Sequence, residues 1–73
     1  MKSDMMFADL SGANLTGANL FRAKLSGADL TGADVAGADF TEADLDGTIL
    51  KDVKGLGAAK GMDKATNRDR VVY

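Results

Sequence analysis

Carboxylates are the most regular chemical groups in this chain: Asp29, Asp34 and Asp39 recur at intervals of five, with Asp9 and Asp44 in the same series. Paired carboxylates do acid–base work when two of them converge across a pocket. Members of a repeat instead lie on successive outer faces, and no cleft gathers them. The serines Ser3, Ser11 and Ser26 have no histidine to activate them, because the chain of 73 residues contains none. Cysteine is absent as well, which removes disulfides, thiolate chemistry and the usual zinc ligand sets. The glycines are spaced for turns and form no phosphate-binding loop. Calcium loops built on glycine-rich nonapeptides are also missing. The expectation is a protein without catalytic residues, cofactor or metal.

Charge divides the chain unevenly. Residues 3–52 carry nine acidic and three basic side chains, a balance of −6, while 53–73 carry five basic and two acidic ones, a balance of +3. Lys2 completes the net charge of −2. An acidic body with a basic tail is expected to make contacts within the chain, or to offer each part to a different partner. The start "MKSDMMFADL" has no apolar run of signal-peptide length, and no stretch approaches the ~20 apolar residues of a membrane span. A soluble, cytoplasmic protein is expected.

The positions of the large apolar residues explain why the acids are so regular. Read as "SDMMF ADLSG ANLTG ANLFR AKLSG ADLTG ADVAG ADFTE ADLDG TILKD", residues 3–52 are ten units of five. The central position is Met5, Leu10, Leu15, Leu20, Leu25, Leu30, Val35, Phe40, Leu45 and Leu50. Two residues earlier stands Ala in eight units, and between the two stands Asp or Asn in eight, broken by Lys24 and Ile49. Gly closes six units.

A period of five suits neither regular element. In a straight strand, residues five apart point to opposite faces, so half the apolar ladder would be exposed. On an α-helix, steps of five carry the side chains around every side. One interior can hold them all only if the chain turns after each unit. Gly supplies the turn conformations closed to other residues, and Asp and Asn bond to nearby backbone.

"ADLSG", "ANLTG" and "ADLTG" resemble the A(D/N)LXX units of the pentapeptide-repeat family over about two thirds of the chain. The resemblance implies an all-β solenoid, a right-handed quadrilateral β-helix with four units per coil, and about two and a half coils from these ten units. It also implies that the central and Ala positions point inward and the other three outward. A coil of twenty residues stacks Lys24 between Asp4 and Asp44, and Arg22 on Glu42, so each of these bases meets an acid.

The ends of such a coil expose unpaired backbone and apolar surface. "SDMMF" places Met6 and Phe7 where polar or small residues belong, either as a lid over the first coil or as part of an interface. After Asp52 the period becomes six in "KGLGAA KGMDKA TNRDRV", with Gly55, Gly61 and Asn67 aligned. Apolar spacing of three predicts short helical turns over 53–73, folded over the open C-terminal end as a cap, or free as a docking tail. Lys60, Lys64, Arg68 and Arg70 are its exposed cations. Phe21, beside Arg22, is the one large apolar residue expected to face outward in the middle coils. Candidate interaction residues are therefore Met6, Phe7, Phe21, Arg22, Arg68 and Arg70.

A non-catalytic structural or protein-interaction module fits these features, with self-association through the solenoid ends and neither direct nucleic-acid nor membrane binding. The alternative comes from the resemblance: some pentapeptide-repeat proteins are acidic rods that mimic duplex DNA and bind type II topoisomerases such as gyrase. Asp9, Asp29, Asp34, Asp39 and Asp44 would be that acidic surface, although two and a half coils make a short rod.

Overall fold

The computed structural model describes residues 4–73; Ser3, the start of the first unit, lies outside them. Each unit of five is one side of a square coil. Its Asp/Asn position pairs with the residues one coil above and below through a single parallel bridge, and no longer strand forms among the described residues. Four ladders result: Asp4–Lys24–Asp44–Thr66, Asp9–Asp29–Ile49–Val72, Asn14–Asp34–Lys54 and Asn19–Asp39–Lys60. Every bridge above Asp4–Lys24 is held by a reciprocal pair of hydrogen bonds. The Leu10 amide donates to the Asp29 carbonyl at 2.7 Å, and the Asp29 amide donates to the Ala8 carbonyl at 2.9 Å.

Corners join the sides. At each pentad corner the amide of the next inward residue, Ala at eight of the ten and Thr48 or Val53 at the others, donates to the carbonyl of the central residue, as Ala13 does to Leu10 at 3.0 Å. This closes a four-residue turn whose third residue has positive φ. Glycine meets that demand at six of the ten pentad corners, and Phe7, Arg22, Glu42 and Asp52 meet it at the others. The side chain at the bridge position braces the turn. Asp9 Oδ1 accepts the Ser11 amide at 3.1 Å and the Ser11 hydroxyl at 2.6 Å, and Asn14–Thr16, Asp29–Thr31 and Asp39–Thr41 repeat both bonds. The Asp/Asn series of the sequence is thus first a set of corner braces.

The segment 53–73 corrects an expectation. Its short helical turns are present as 3₁₀ turns at Leu56–Ala58, Met62–Lys64 and Arg68–Arg70, but they build no cap over the end. They are the corners of six-residue sides that continue the coil. Lys54, Lys60, Thr66 and Val72 bridge to Asp34, Asp39, Asp44 and Ile49, so the bridge offset grows from 20 residues to 21, 22 and 23. The extra residue of each hexad is absorbed in its corner, which opens on a left-handed residue: Gly55 at φ 74°, Gly61 at φ 75° and Asn67 at φ 58°. The described coil therefore makes three and a half turns, not two and a half.

The core lies in the middle of the stack. Leu20, Leu25, Leu30, Val35, Phe40, Leu45 and Leu50 are buried with Ala23, Ala28, Ala33, Ala38 and Ala43 between them. Alanine is required there because two inward residues per side share a narrow interior. Thr48 stands in the Ala series and is fully buried, its hydroxyl donating to the Leu25 carbonyl at 2.6 Å. Both ends are looser: Met5, Leu10 and Leu15 at one, and Val53, Leu56 and Met62 at the other, are half-buried.

Two glycines separate the cost of conformation from the cost of contact. Both have positive φ, but a Cβ at Gly12 meets nothing within 4 Å, whereas one at Gly55 falls 2.6 Å from the Ala36 Cβ. Gly12→Ala is expected to cost about 1–2 kcal/mol, and Gly55→Ala roughly 3 kcal/mol, because backbone must also shift. Thermal melts of the two variants check the order; equal losses would mean the hexad corner does not pack on Ala36.

Candidate interaction face

One of the four faces differs from the rest. Its centre is the ladder Asp4–Lys24–Asp44–Thr66, alternating acid and base before ending on Thr66. The corner leading into it carries Phe21 and Arg22 with Thr41 and Glu42 stacked on them, since the Arg22 amide donates to the Thr41 carbonyl at 2.9 Å. Arg22 Nε lies 3.2 Å from Glu42 Oε1, with both side chains about half exposed. Its guanidinium stands 5.1 Å from the centroid of the Phe21 ring, a cation–π distance. Between this corner and the ladder is a depression of about 300 Å³ lined by Arg22, Lys24, Glu42 and Asp44.

The corner leading out of the face carries Met6 and Phe7, then Ser26 and Gly27, then Asp46 and Gly47, and finally the turn Arg68–Arg70. Phe7 is 80% exposed and its ring lies across Gly27, where any Cβ would sit 2.6 Å from the ring carbons. Met6 and Phe7 are therefore no lid over the first coil. They hold the two turn positions of their unit, which point away from the interior, and Met5 takes the inward one. At the upper end Arg70 Nη1 lies 3.8 Å from Asp46 Oδ1, and Asn67 Nδ2 of the side chain donates to Asp44 Oδ1 at 2.9 Å. These are contacts between the basic tail and the acidic body.

All six residues singled out in the sequence thus border this one face: Phe21 and Arg22 on one edge, Met6, Phe7, Arg68 and Arg70 on the other. The last two stand coils above Met6 and Phe7 and do not adjoin them. Lys24, Glu42 and Asp44 complete the depression. Their pairing by twenty-residue stacking was visible in the sequence as a sign of register, with nothing to mark them as a surface feature. The carboxylates Asp29, Asp34 and Asp39 lie on the other three faces, one on each.

Comparison with known protein families finds pentapeptide repeats, eight copies, matched over residues 3–35 and 18–54. The chain belongs to the pentapeptide-repeat family. The solved structure of HetL, a pentapeptide repeat protein involved in heterocyst differentiation regulation from the cyanobacterium Nostoc sp. strain PCC 7120, is 28% identical. The match covers 99% of this chain and 43% of HetL, with a TM-score of 0.39. Curated proteins give no significant match. Family membership rests on the repeat match, and with it the β-helix fold.

In this pentapeptide-repeat chain the carboxylates of the corners are tuned by the turns they brace. Hydrogen bonds from the Ser11 hydroxyl and amide hold Asp9 below the ordinary carboxylate value of 3.8. Asp39 is lowered by the Thr41 hydroxyl, then by the Thr41 amide, with a smaller contribution from Lys60. A lowered folded-state pKa contributes stability that is present above the unfolded value and is lost as pH falls through the folded one. The melting temperature is therefore expected to fall as pH drops below about 4. Asp9→Asn/Asp39→Asn keeps the side-chain acceptors and should flatten that decline, as melts at pH 7 and pH 3 would reveal.

Proposed function

We propose that this chain is a non-catalytic protein-interaction module that binds its partner through the face centred on Lys24. Family membership supports the non-catalytic part, since pentapeptide-repeat proteins are generally interaction modules of this kind. One observation carries the choice of face. Four pentad corners hold a non-glycine residue at positive φ, and three of them, Phe7, Arg22 and Glu42, border this face. Each such residue costs about 1–2 kcal/mol where glycine would cost nothing, and conformational cost concentrated at one place points to use there. The same edges carry the exposed aromatics Phe7 and Phe21 around a depression with both signs of charge. Aromatic anchors beside arginine are typical of binding hot spots.

The reading as an acidic DNA mimic that binds gyrase has less support. Its carboxylates are spread over all four faces and brace their own corners, and Lys24, Lys54 and Lys60 interrupt three of the four ladders. The molecule measures 22 × 21 × 20 Å, which is no rod.

Phe7→Gly and Phe21→Ser test the proposal together. Neither is expected to lower the melting temperature, because Phe7→Gly relieves a left-handed corner and Phe21 is outside the core. Both should weaken capture of the partner from bacterial extract by tenfold or more, while Asp34→Asn on another face leaves capture unchanged. A partner retained equally by all three variants would move the binding site elsewhere; retention of gyrase alone would revive the mimic.

A further inference from the structure

We infer that copies of this chain stack head to tail, the first coil of one on the last coil of the next, in a single register that extends the β-helix across the junction. The two ends are complementary in three respects. The first is backbone. At the N-terminal end, the amides and carbonyls of Asp4, Asp9, Asn14 and Asn19 make no backbone hydrogen bond among the described residues. At the C-terminal end the same holds for the amides of Gly55, Gly61, Asn67 and Tyr73 and the carbonyls of Val53, Ala59, Ala65 and Val71. Inside the coil, a bridge joins the amide after one bridge residue to the carbonyl of its partner above, and that partner's amide to the carbonyl before the first, as in Leu10 to Asp29 and Asp29 to Ala8. The unpaired groups at the two ends are the two halves of that pattern, four sets on each side.

The second is shape. A coil ends in a step one strand spacing high, ~4.8 Å, so two coils seat flush in only one of four rotations. That rotation sets Asp4 on Lys54, Asp9 on Lys60, Asn14 on Thr66 and Asn19 on Val72. Pentad sides already rest on hexad sides within the chain, at Asp39↔Lys60 and Asp44↔Thr66, so the difference in length is no obstacle. The half-buried Met5, Leu10 and Leu15 would then close over Leu56, Ala59 and Met62.

The third is charge, and it selects the same rotation. Only there do both acids of the lower edge, Asp4 and Asp9, meet both bases of the upper edge, Lys54 and Lys60; each other rotation matches one such pair or none. In three of its four rotations head-to-head contact would set an acid of one copy, Asp4 or Asp9, on an acid of the other, and tail-to-tail contact would do the same for the lysines. A head-to-tail contact without closing rotation grows without limit.

Sedimentation velocity over a concentration series tests this with the intact chain. Species growing beyond dimer as concentration rises are expected, with association weakened by salt. Asp4→Asn/Asp9→Asn keeps the corner braces and should weaken association tenfold or more while the chain still unfolds cooperatively. Register is read by Asp9→Cys/Lys60→Cys in this cysteine-free chain, since the two positions lie on different ladders of one copy and adjoin only between copies. A ladder of disulfide-linked multimers is expected, and Asn19→Cys/Lys60→Cys, which requires another rotation, should give none. A monomer at every concentration, a dimer that does not grow, or equal cross-linking in both registers would overturn the inference.

Discussion

Every side of this molecule depends on its corner. A chain that turns after five residues has a few atoms in which to reverse its side-chain direction, satisfy the backbone and return an alanine to the interior. The structure solves this with two local devices: a residue at positive φ in the third turn position, and an Asp or Asn whose oxygen accepts the amide two residues on. Once corners are equal, sides are equal, and residues twenty apart fall in register without help from long strands. Single bridges suffice because four ladders act together, each coil lending hydrogen bonds to the next.

Dependence on the corner also explains where variation is tolerated and what it signals. Lys24 and Ile49 cannot brace a corner as Asp does, yet both hold their places in the ladders, so the bridge itself does not need the carboxylate. Positive φ is not negotiable in the same way. Where glycine is replaced, the backbone keeps its shape and the side chain bears the strain, at Phe7, Arg22, Glu42 and Asp52. Clustering of three of these along one face sets that face apart from the others, whose corners are mostly glycine and hydroxyl residues. Its charges are half satisfied within the molecule, through Arg22 and Glu42, and half presented.

The hexads show how the same logic tolerates a longer unit. A 3₁₀ turn takes up one more residue than the pentad corner while still delivering the next bridge residue to its ladder. Gly55, Gly61 and Asn67 keep the left-handed step at the start of each corner. Charge follows the ladders too: two of the three hexad lysines lie directly above aspartates of the body, at Asp34–Lys54 and Asp39–Lys60. The polarity of the sequence thus becomes a polarity of the two ends.

The repeat, its apolar ladder and the turn after each unit were legible in the amino-acid sequence because each follows from chemistry within five residues, while four units per coil and the inward Ala series came with the family resemblance. Leucine at every fifth place can share one interior only around regular corners, and Gly, Asp and Asn are the residues that make them. Three matters were decided only by the tertiary structure. Residues 53–73 continue the coil instead of covering it, because a six-residue side is acceptable only if its bridge residue still meets the ladder below, a condition set between residues 20 to 23 apart. Met6 and Phe7 lie outside instead of over the open end, because their direction follows from the φ of a formed corner and not from their hydrophobicity. Phe21, Arg22, Met6, Phe7, Arg68 and Arg70 border one face because coils stack in fours, which brings together residues that the sequence keeps as much as sixty-four positions apart.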